Sequence, residues 1–530
     1  MTENSHRNLR IVQSTGIVVG AAIFGRLLGF FREWSVAHKI GSNSVTDAYY
    51  AAFTLPDFIS YLVAGGVLGI IFIPIFAKYV AEEKEDEAWY VFSTVLTFIG
   101  LALTVLIILG EIFTPQLVHV IAPGFGAAER GLVVKLTRIL LPAQLFLCLG
   151  GLLSAVQNAR RRFLIPGLAT VVYNFVLISC AWIFVSRFGI TSFAMGLVAG
   201  VFLGFFALQA AAVWAMGGKY TPNLNLRHPG FRRFFWMSLP VMLALSMDVT
   251  DMWVIRWFGS YLAPSSITWL TYSRYLINVP VAVIGQAVGT ASYPYLSQLY
   301  AEAKHDQLNR TISAGLKSLV IIMIPVSALT IVLCKPLIYF VFSHTRLGYQ
   351  DYRSTALALA AFAAGMFARG TIHLVSRGFN ATHDTLTPAW VGTLFTFLSL
   401  PVYWYCARRW QYLGLAVASS VIAIILVAVL FATLMRRSKS KEWPGILSCF
   451  VRVAGASTAG AVICRSLVYW LELRINWHTF TGALSVLLLV TAVGFPLMLL
   501  LSHLFGVKEI GSYWTKFMPR VPEKVELVEG

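Results

Sequence analysis

Charge is scarce in this chain, and negative charge scarcest. Of its 530 residues only 12% are Asp, Glu, Lys or Arg, with 23 acidic residues against 41 basic ones. The surface of a soluble domain carries about 25–35% charged residues, so a water-exposed globular fold is excluded and no stretch has room for one. Cysteine is sparse too: Cys148, Cys180, Cys334, Cys406, Cys449 and Cys464 each sit singly in or beside apolar segments. They lack the spacing of a metal or redox site and read as small core residues. There is no nucleophile elbow, phosphate-binding P-loop or dinucleotide fingerprint, so nothing supports an enzyme or an ATP-driven pump. The formal charge of +18 is spread over short loops and not gathered on one face, so nucleic acid is not an expected partner.

What the chain has in abundance is apolar sequence, 58% of it, in runs that recur from end to end. A helix needs about 20 apolar residues to span a bilayer. The expected fold is therefore an all-α polytopic membrane protein of about 14 transmembrane helices, near residues 12–37, 46–78, 88–110, 131–157, 164–186, 190–216, 234–260, 265–299, 312–341, 354–379, 386–407, 411–435, 446–470 and 480–504. The second and eighth segments are over-long and hold Pro56 and Pro74, and Pro280 and Pro294, which predicts kinks. The basic N-terminus leads into an apolar run that continues past Arg26 without a small-residue cleavage site, and so reads as a first helix and not a signal peptide. Arg160–Arg162, Lys219, Arg227, Arg232, Arg233, Arg436, Arg437, Lys439 and Lys441 fall on the same side as both termini, although Arg346, Arg408 and Arg409 lie opposite. Loop asymmetry places that side in the cytoplasm.

Two halves of the chain match at an offset of roughly 220 residues, the pattern of a duplicated transporter. Leu152, Ser154, Asn158, Ala159 and Pro166 recur as Leu374, Ser376, Asn380, Ala381 and Pro388. Pro74, Ala81, Glu82, Lys84 and Asp86 recur as Pro294, Ala301, Glu302, Lys304 and Asp306, and Gly196-Leu197 as Gly414-Leu415. The expected organisation is two six-helix repeats of the same orientation, in lobes 1–218 and 219–440. Two extra helices at 441–505 and a cytoplasmic tail at 506–530 follow. In such transporters the substrate site lies where the halves face one another.

The lead helices of both repeats carry the charges. Arg26, Arg32, Glu33, Asp47 and Asp57 interrupt the first half; Asp248, Asp251, Arg256 and Arg274 the second. An intramembrane arginine costs at least ~2.5–3.5 kcal/mol and by default marks function. Arg26 and Arg32 lie within about 120° of each other on a helix, and paired guanidinium groups suit phosphate because each is a permanently charged planar fork. Arg32 near its helix end has the alternative of reaching the interface; Arg256 reads as interfacial. Asp248 and Asp251, at i and i+3, need a proton, an arginine or a cation between them. Asn380 and Asp384, one helical turn apart, suit a hard cation; the alternative is an Asx cap, which the following Thr385, Thr387 and Pro388 support. His119, His373 and His383 are isolated and form no metal constellation.

These stretches resemble a known family. FGRLLGFFRE at 24–33, TDAYYAAFTLPD at 46–57, IPIFAKY at 73–79, IAPGF at 121–125, NARRRFLIP at 158–166, VPVAVIGQAVGTASYPYLS at 279–297 and RGFNATHDTLTP at 377–388 are similar to the MurJ/MviN lipid II flippases, within the multidrug, oligosaccharidyl-lipid and polysaccharide exporters. The resemblance implies a 14-helix, V-shaped transporter of the bacterial inner membrane. It would carry undecaprenyl-pyrophosphate-linked disaccharide-pentapeptide from the inner to the outer leaflet by alternating access, driven by an ion or the membrane potential. The last two helices would form a groove for the lipid tail, and other cell-wall synthesis proteins are expected partners. The resemblance also implies that Arg26, Arg32, Glu33 and Asp47 bind substrate, and that Asp251 or Asp248 with Asn380 and Asp384 hold sodium; Arg274, which reads as a cavity residue from its place in mid-segment, is expected to join the substrate site. Two positions depart from the family pattern. A basic residue expected after the LPN motif, here LPD, is replaced around Ser60-Tyr61, and the arginine of the eighth helix falls on Tyr275 with Arg274 beside it. The alternatives are a flippase for another polyprenyl-linked oligosaccharide, such as an exopolysaccharide or O-antigen unit, and a cation-coupled drug exporter.

Overall fold

The computed structural model describes residue 20 and residues 24–64, 71–243, 247–384, 386–438 and 442–510. All regular structure among them is helical. Two compact units emerge: one runs to Thr271 and includes His344–Asp351; the other comprises Tyr272–Ser343 and the chain from Tyr352 onward.

The first unit opens with α1 (24–39), then α2 (Ser44–Ala52), α3 (Thr54–Ala64), α4 (Ile73–Ala81) and the 37-residue α5 (Glu85–Ile121). Asn43 starts α2 with a capping box: its side chain accepts from the Val45 and Thr46 amides, and Thr46 Oγ1 accepts from the Asn43 amide. Three acids in the first turn of α5, Glu85, Asp86 and Glu87, complement the helix dipole. Pro142, which has no amide hydrogen to donate, separates α6 (Ala127–Leu140) from α7 (Ala143–Ala159). The unit continues through α8 (Leu164–Phe188), α9 (Thr191–Gly200), a π-helical stretch at Val201–Ala207 and α10 (Leu208–Ala215), to α11 (Pro229–Leu243) and α12 (Met247–Gly259). Its core joins Phe72, Phe76, Trp89, Phe92, Leu103 and Leu152.

The helix α13 (Ser266–Pro280) begins in the first unit and enters the second. A π-helical stretch at Val281–Gln286 follows Pro280 and leads to α14 (Ala287–Ala301), so the over-long eighth segment departs from regular α-helix there. Then come α15 (His305–Val332), α16 (Cys334–Phe342), α17 (Tyr349–Ala364) and α18 (Met366–Ala381), the last two bent by 41°. A 52-residue helical stretch, α19 (Leu386–Arg437), is broken at Trp410 and Gln411, where φ of Gln411 turns to +54°. That break divides the expected spans at 386–407 and 411–435. The chain closes with α20 (Trp443–Glu472) and α21 (Phe480–Leu504), which pack on α15 through Leu329, Val332, Cys464, Val468, Val490 and Met498. Among the described residues nine helices are long and apolar enough to cross a membrane, ten if the bent pair is one span. The count of fourteen remains the hydropathy reading.

Backbone turns recur at the offset of the sequence match. Four helices, α4, α7, α14 and α18, end in the same paired-bond turn. The amide of the second residue past the cap reaches back five positions (Lys84 to Tyr79 O, Arg162 to Gln157 O, Lys304 to Leu299 O, Asp384 to Phe379 O, all 2.8–3.0 Å). In each, the residue just before it is left-handed: Glu83 at +58° and Arg161 at +58° in the first unit, Ala303 at +53° and His383 at +59° in the second. This is the Schellman stop, made here without the glycine it usually employs. Gly189 and Gln411 form a further pair, at +55° and +54°, each about 220 residues apart like the others.

Candidate functional site

The charged face of α1 is held by α8 and α2. Arg32 donates from Nε to Glu33 Oε1 at 2.8 Å and from Nη1 to the Tyr173 hydroxyl of α8 at 3.0 Å. Tyr50 of α2 donates to the other carboxylate oxygen, Glu33 Oε2, at 2.7 Å. Glu33 is 3% exposed, so its charge is offset by Arg32 and its hydrogen-bonding capacity is met within the unit. The chain can make this approach because α1 meets α8 through Gly25 and Gly29. A Cβ on Gly25 would come within 3.2 Å of the Thr170 side chain, and the Asn174 amide donates to the Gly25 carbonyl at 3.3 Å. Small residues four apart are the usual means of bringing membrane helices together. At the far end of α1, Trp34, His38 and Trp182 stack, Lys39 lies 4.0 Å over Trp182, and Trp182 donates to Ser35 Oγ. Arg26 is exposed on the same helix.

Asp47 is engaged differently. At 2% exposure it accepts from the backbone amide and the hydroxyl of Thr268, at 2.8 and 2.6 Å, and so places a carboxylate on the first turn of α13. Unsatisfied amides at a helix start form a natural anion site; here the anion is intramolecular. Asp57 on α3 binds Arg256 of α12 at 2.9 Å, beside contacts of Trp253 with Phe58 and Tyr61. That pairing explains how Arg256, expected at the interface, comes to be 8% exposed. Ser60, where the family pattern calls for a basic residue, is hydrogen-bonded to Gln144 of α7.

Of the residues expected to hold sodium, Asp251 is buried on α12, and the Asp248 side chain lies outside the described residues. In the second unit, Asn380 lies in the last turn of α18, where its carbonyl accepts from the His383 amide. Asp384 accepts from the Thr387 amide at 3.0 Å and hydroxyl at 2.8 Å and pairs with Arg437. The Asx cap is thus present. The donor types at Asn380 and Asp384 suit a hard cation, but Arg437 already takes up the charge of Asp384. Among the described residues there is no cluster of three or more His, Cys, Asp or Glu side chains able to hold a metal ion.

Arg274, singled out in the sequence, lies 5.6 Å over the Phe362 ring and donates to Ser419 Oγ at 3.3 Å. Arg369 joins it on the same hydroxyl. The sequence reading passed over Arg369, although an arginine inside the apolar run at 354–379 is the same signal that singled out Arg26.

Spanning helices with buried, hydrogen-bonded charges on their lead segments define a multi-pass membrane protein. Solved structures agree on the fold: a lipid II flippase MurJ in an inward closed conformation is 23% identical with a TM-score of 0.74, over 92% of this chain and 98% of that one. A multidrug resistance MATE family transporter of the MOP superfamily, inward-facing, is 14% identical with a TM-score of 0.66, over 80% and 98%. The chain belongs to the lipid II flippase MurJ family, whose model matches residues 36–490. Relatives include the lipid II flippase MurJ of Burkholderia cenocepacia, 26% identical over 87% of this chain and 90% of that one. The probable lipid II flippase MurJ of Vibrio cholerae is 24% identical over 92% and 94%.

Proposed function

We propose that this protein is a lipid II flippase of the bacterial inner membrane. It moves undecaprenyl-pyrophosphate-linked disaccharide-pentapeptide from the inner to the outer leaflet by alternating access, with both termini in the cytoplasm. The observation that carries the reading is the frame around Arg32, where Glu33, Tyr50 and Tyr173 orient a guanidinium on a helix that also presents Arg26. A diphosphate offers a guanidinium paired acceptors and more charge than Glu33 does, so it can draw Arg32 off its intramolecular partner. Arg26, Arg32 and Arg274 are the residues proposed to bind the pyrophosphate. Asp47 contributes through α13, the helix that bears Arg274. The helices α20 and α21 are proposed to receive the prenyl tail.

Sodium coupling through Asp251, Asp248, Asn380 and Asp384 is retained with a condition. Arg437 must leave Asp384 before a cation can take its charge. In a leaflet-accessibility assay with lipid II, Arg26→Ala and Arg32→Ala should each lower translocation at least about tenfold, in line with the loss of a charge-assisted contact. Wild-type rates in both would remove the pyrophosphate role. The uncharged Ser60–Gln144 contact favours one competing reading, a different polyprenyl-linked glycan. Complementation of a strain depleted of its lipid II flippase separates the two: rescue supports lipid II, and failure at normal membrane levels supports the other glycan.

A further inference from the structure

The second unit buries two guanidinium groups against one hydroxyl. Arg274 on α13 donates from Nη1 to Ser419 Oγ at 3.3 Å. Arg369, in the first turn of α18, donates from Nη2 to the same oxygen at 2.5 Å and toward the Ser419 carbonyl at 3.4 Å. Both arginines are 5% exposed and Ser419 is 1% exposed. A serine hydroxyl has two acceptor lone pairs, so these two donors match its capacity. With Phe362 beneath it, the Arg274 fork is fixed from two sides.

The node sits on a built joint. The bend between α17 and α18 falls at Gly365, where an added Cβ would lie 2.7 Å from the Cα of Ser420. Ser420 in turn donates to the Ala361 carbonyl at 2.7 Å. The joint therefore locks onto α19 at Ser419 and Ser420, and Arg369 follows one helical turn after it.

We propose that Arg369 is a positioning residue: through Ser419 it holds the Arg274 fork in one orientation, so that Arg274 meets a prenyl pyrophosphate with two donors and not one. This rests on the reading of Arg274 as a pyrophosphate contact. A diphosphate offers more charge and more acceptor oxygens than a monophosphate, so a guanidinium fork held in one orientation gains more from it. The node thus sets a preference between the two headgroups. The arginines are covered in this structure, and the node keeps Arg274 oriented until that cover opens.

The test uses the full-length protein in detergent, with undecaprenyl pyrophosphate and undecaprenyl monophosphate as probes and binding followed by native mass spectrometry or thermophoresis. Arg369→Ala and Ser419→Ala should each weaken pyrophosphate binding about tenfold, about 1.4 kcal/mol. Monophosphate binding should change by less than about twofold. Arg369→Lys should recover part of the loss, and Arg274→Ala with Arg369→Ala should lose no more than Arg274→Ala alone. The proposal is overturned if Arg369→Ala and Ser419→Ala keep the diphosphate preference while Arg274→Ala loses it, or if the Arg274 and Arg369 losses add. If Arg274→Ala itself binds both lipids as wild type does, the reading of Arg274 fails, and the positioning role fails with it. Should Arg369→Ala not fold, Ser419→Ala and Arg369→Lys carry the same comparison.

Discussion

Asp47 acts at the start of another helix. Its carboxylate receives the Thr268 amide and hydroxyl, and it supplies the negative charge that the positive end of α13 favours. Asp47→Ala should lower stability by about 1–2 kcal/mol, the range for losing a helix cap, read as thermal unfolding in detergent. Undecaprenyl pyrophosphate binding should fall less than with Arg32→Ala. Asp384 makes a comparable cap and carries Arg437 in addition. Arg437→Gln should therefore raise sodium binding measured by isotope uptake or calorimetry, and Asp384→Ala should abolish it. No change in either variant removes the sodium proposal. At this scale the sequence showed which residues are costly, because intramembrane charge is visible in hydropathy, but not what each one touches. Arg32 reads from the sequence as lying at a cavity or at the interface; its partner Tyr173, distant in the chain and unremarkable in composition, and Glu33, itself fixed by Tyr50, decide that it is held inside the unit.

The elements that repeat most faithfully are the turns. Glu83, Arg161, Ala303 and His383 all occupy left-handed backbone, which costs an L-residue roughly 1–2 kcal/mol relative to glycine. Ala303 is exposed, with no side-chain polar group to lose. Ala303→Gly should therefore stabilise the protein by about 0.5–1 kcal/mol, seen as a higher unfolding midpoint in detergent; a lower midpoint would show that the turn draws on the alanine in another way. The sequence marked these places through Glu82 and Lys84, Glu302 and Lys304, and Asn158 and Asn380. Their shared conformation was not legible, because no glycine announces it. The irregularity after Pro280 and the break at Trp410–Gln411, between the spans expected at 386–407 and 411–435, were legible, whereas the joint at Pro142 and the bend at Gly365 fall inside spans that hydropathy reads as continuous.

For the whole molecule, α20 and α21 pack on α15 through Leu329, Val332, Val468 and Val490. In a bilayer, lipid replaces such contacts at modest cost, because apolar surface gains little from leaving lipid. A protein ending before Trp443 should therefore still insert and bind a short-chain prenyl pyrophosphate within about twofold of wild type. It should lose its preference for the undecaprenyl form, measured as the ratio of the two affinities; an unchanged ratio would place the tail elsewhere. The class and much of the helical layout were readable from apolar run length alone. The convergence of Arg274 and Arg369 was not, since the two arginines and Ser419 lie far apart in the chain and the serine that joins them leaves no mark on a hydropathy profile.

The matched turns after α7 and α18 have one further consequence. They place Arg162 and Asp384 on the same backbone, each amide reaching back to the fifth residue before it, with a cation in one copy and an anion in the other. The sign of the charge reverses at a position whose backbone geometry does not change, so the turn itself is indifferent to the charge it carries.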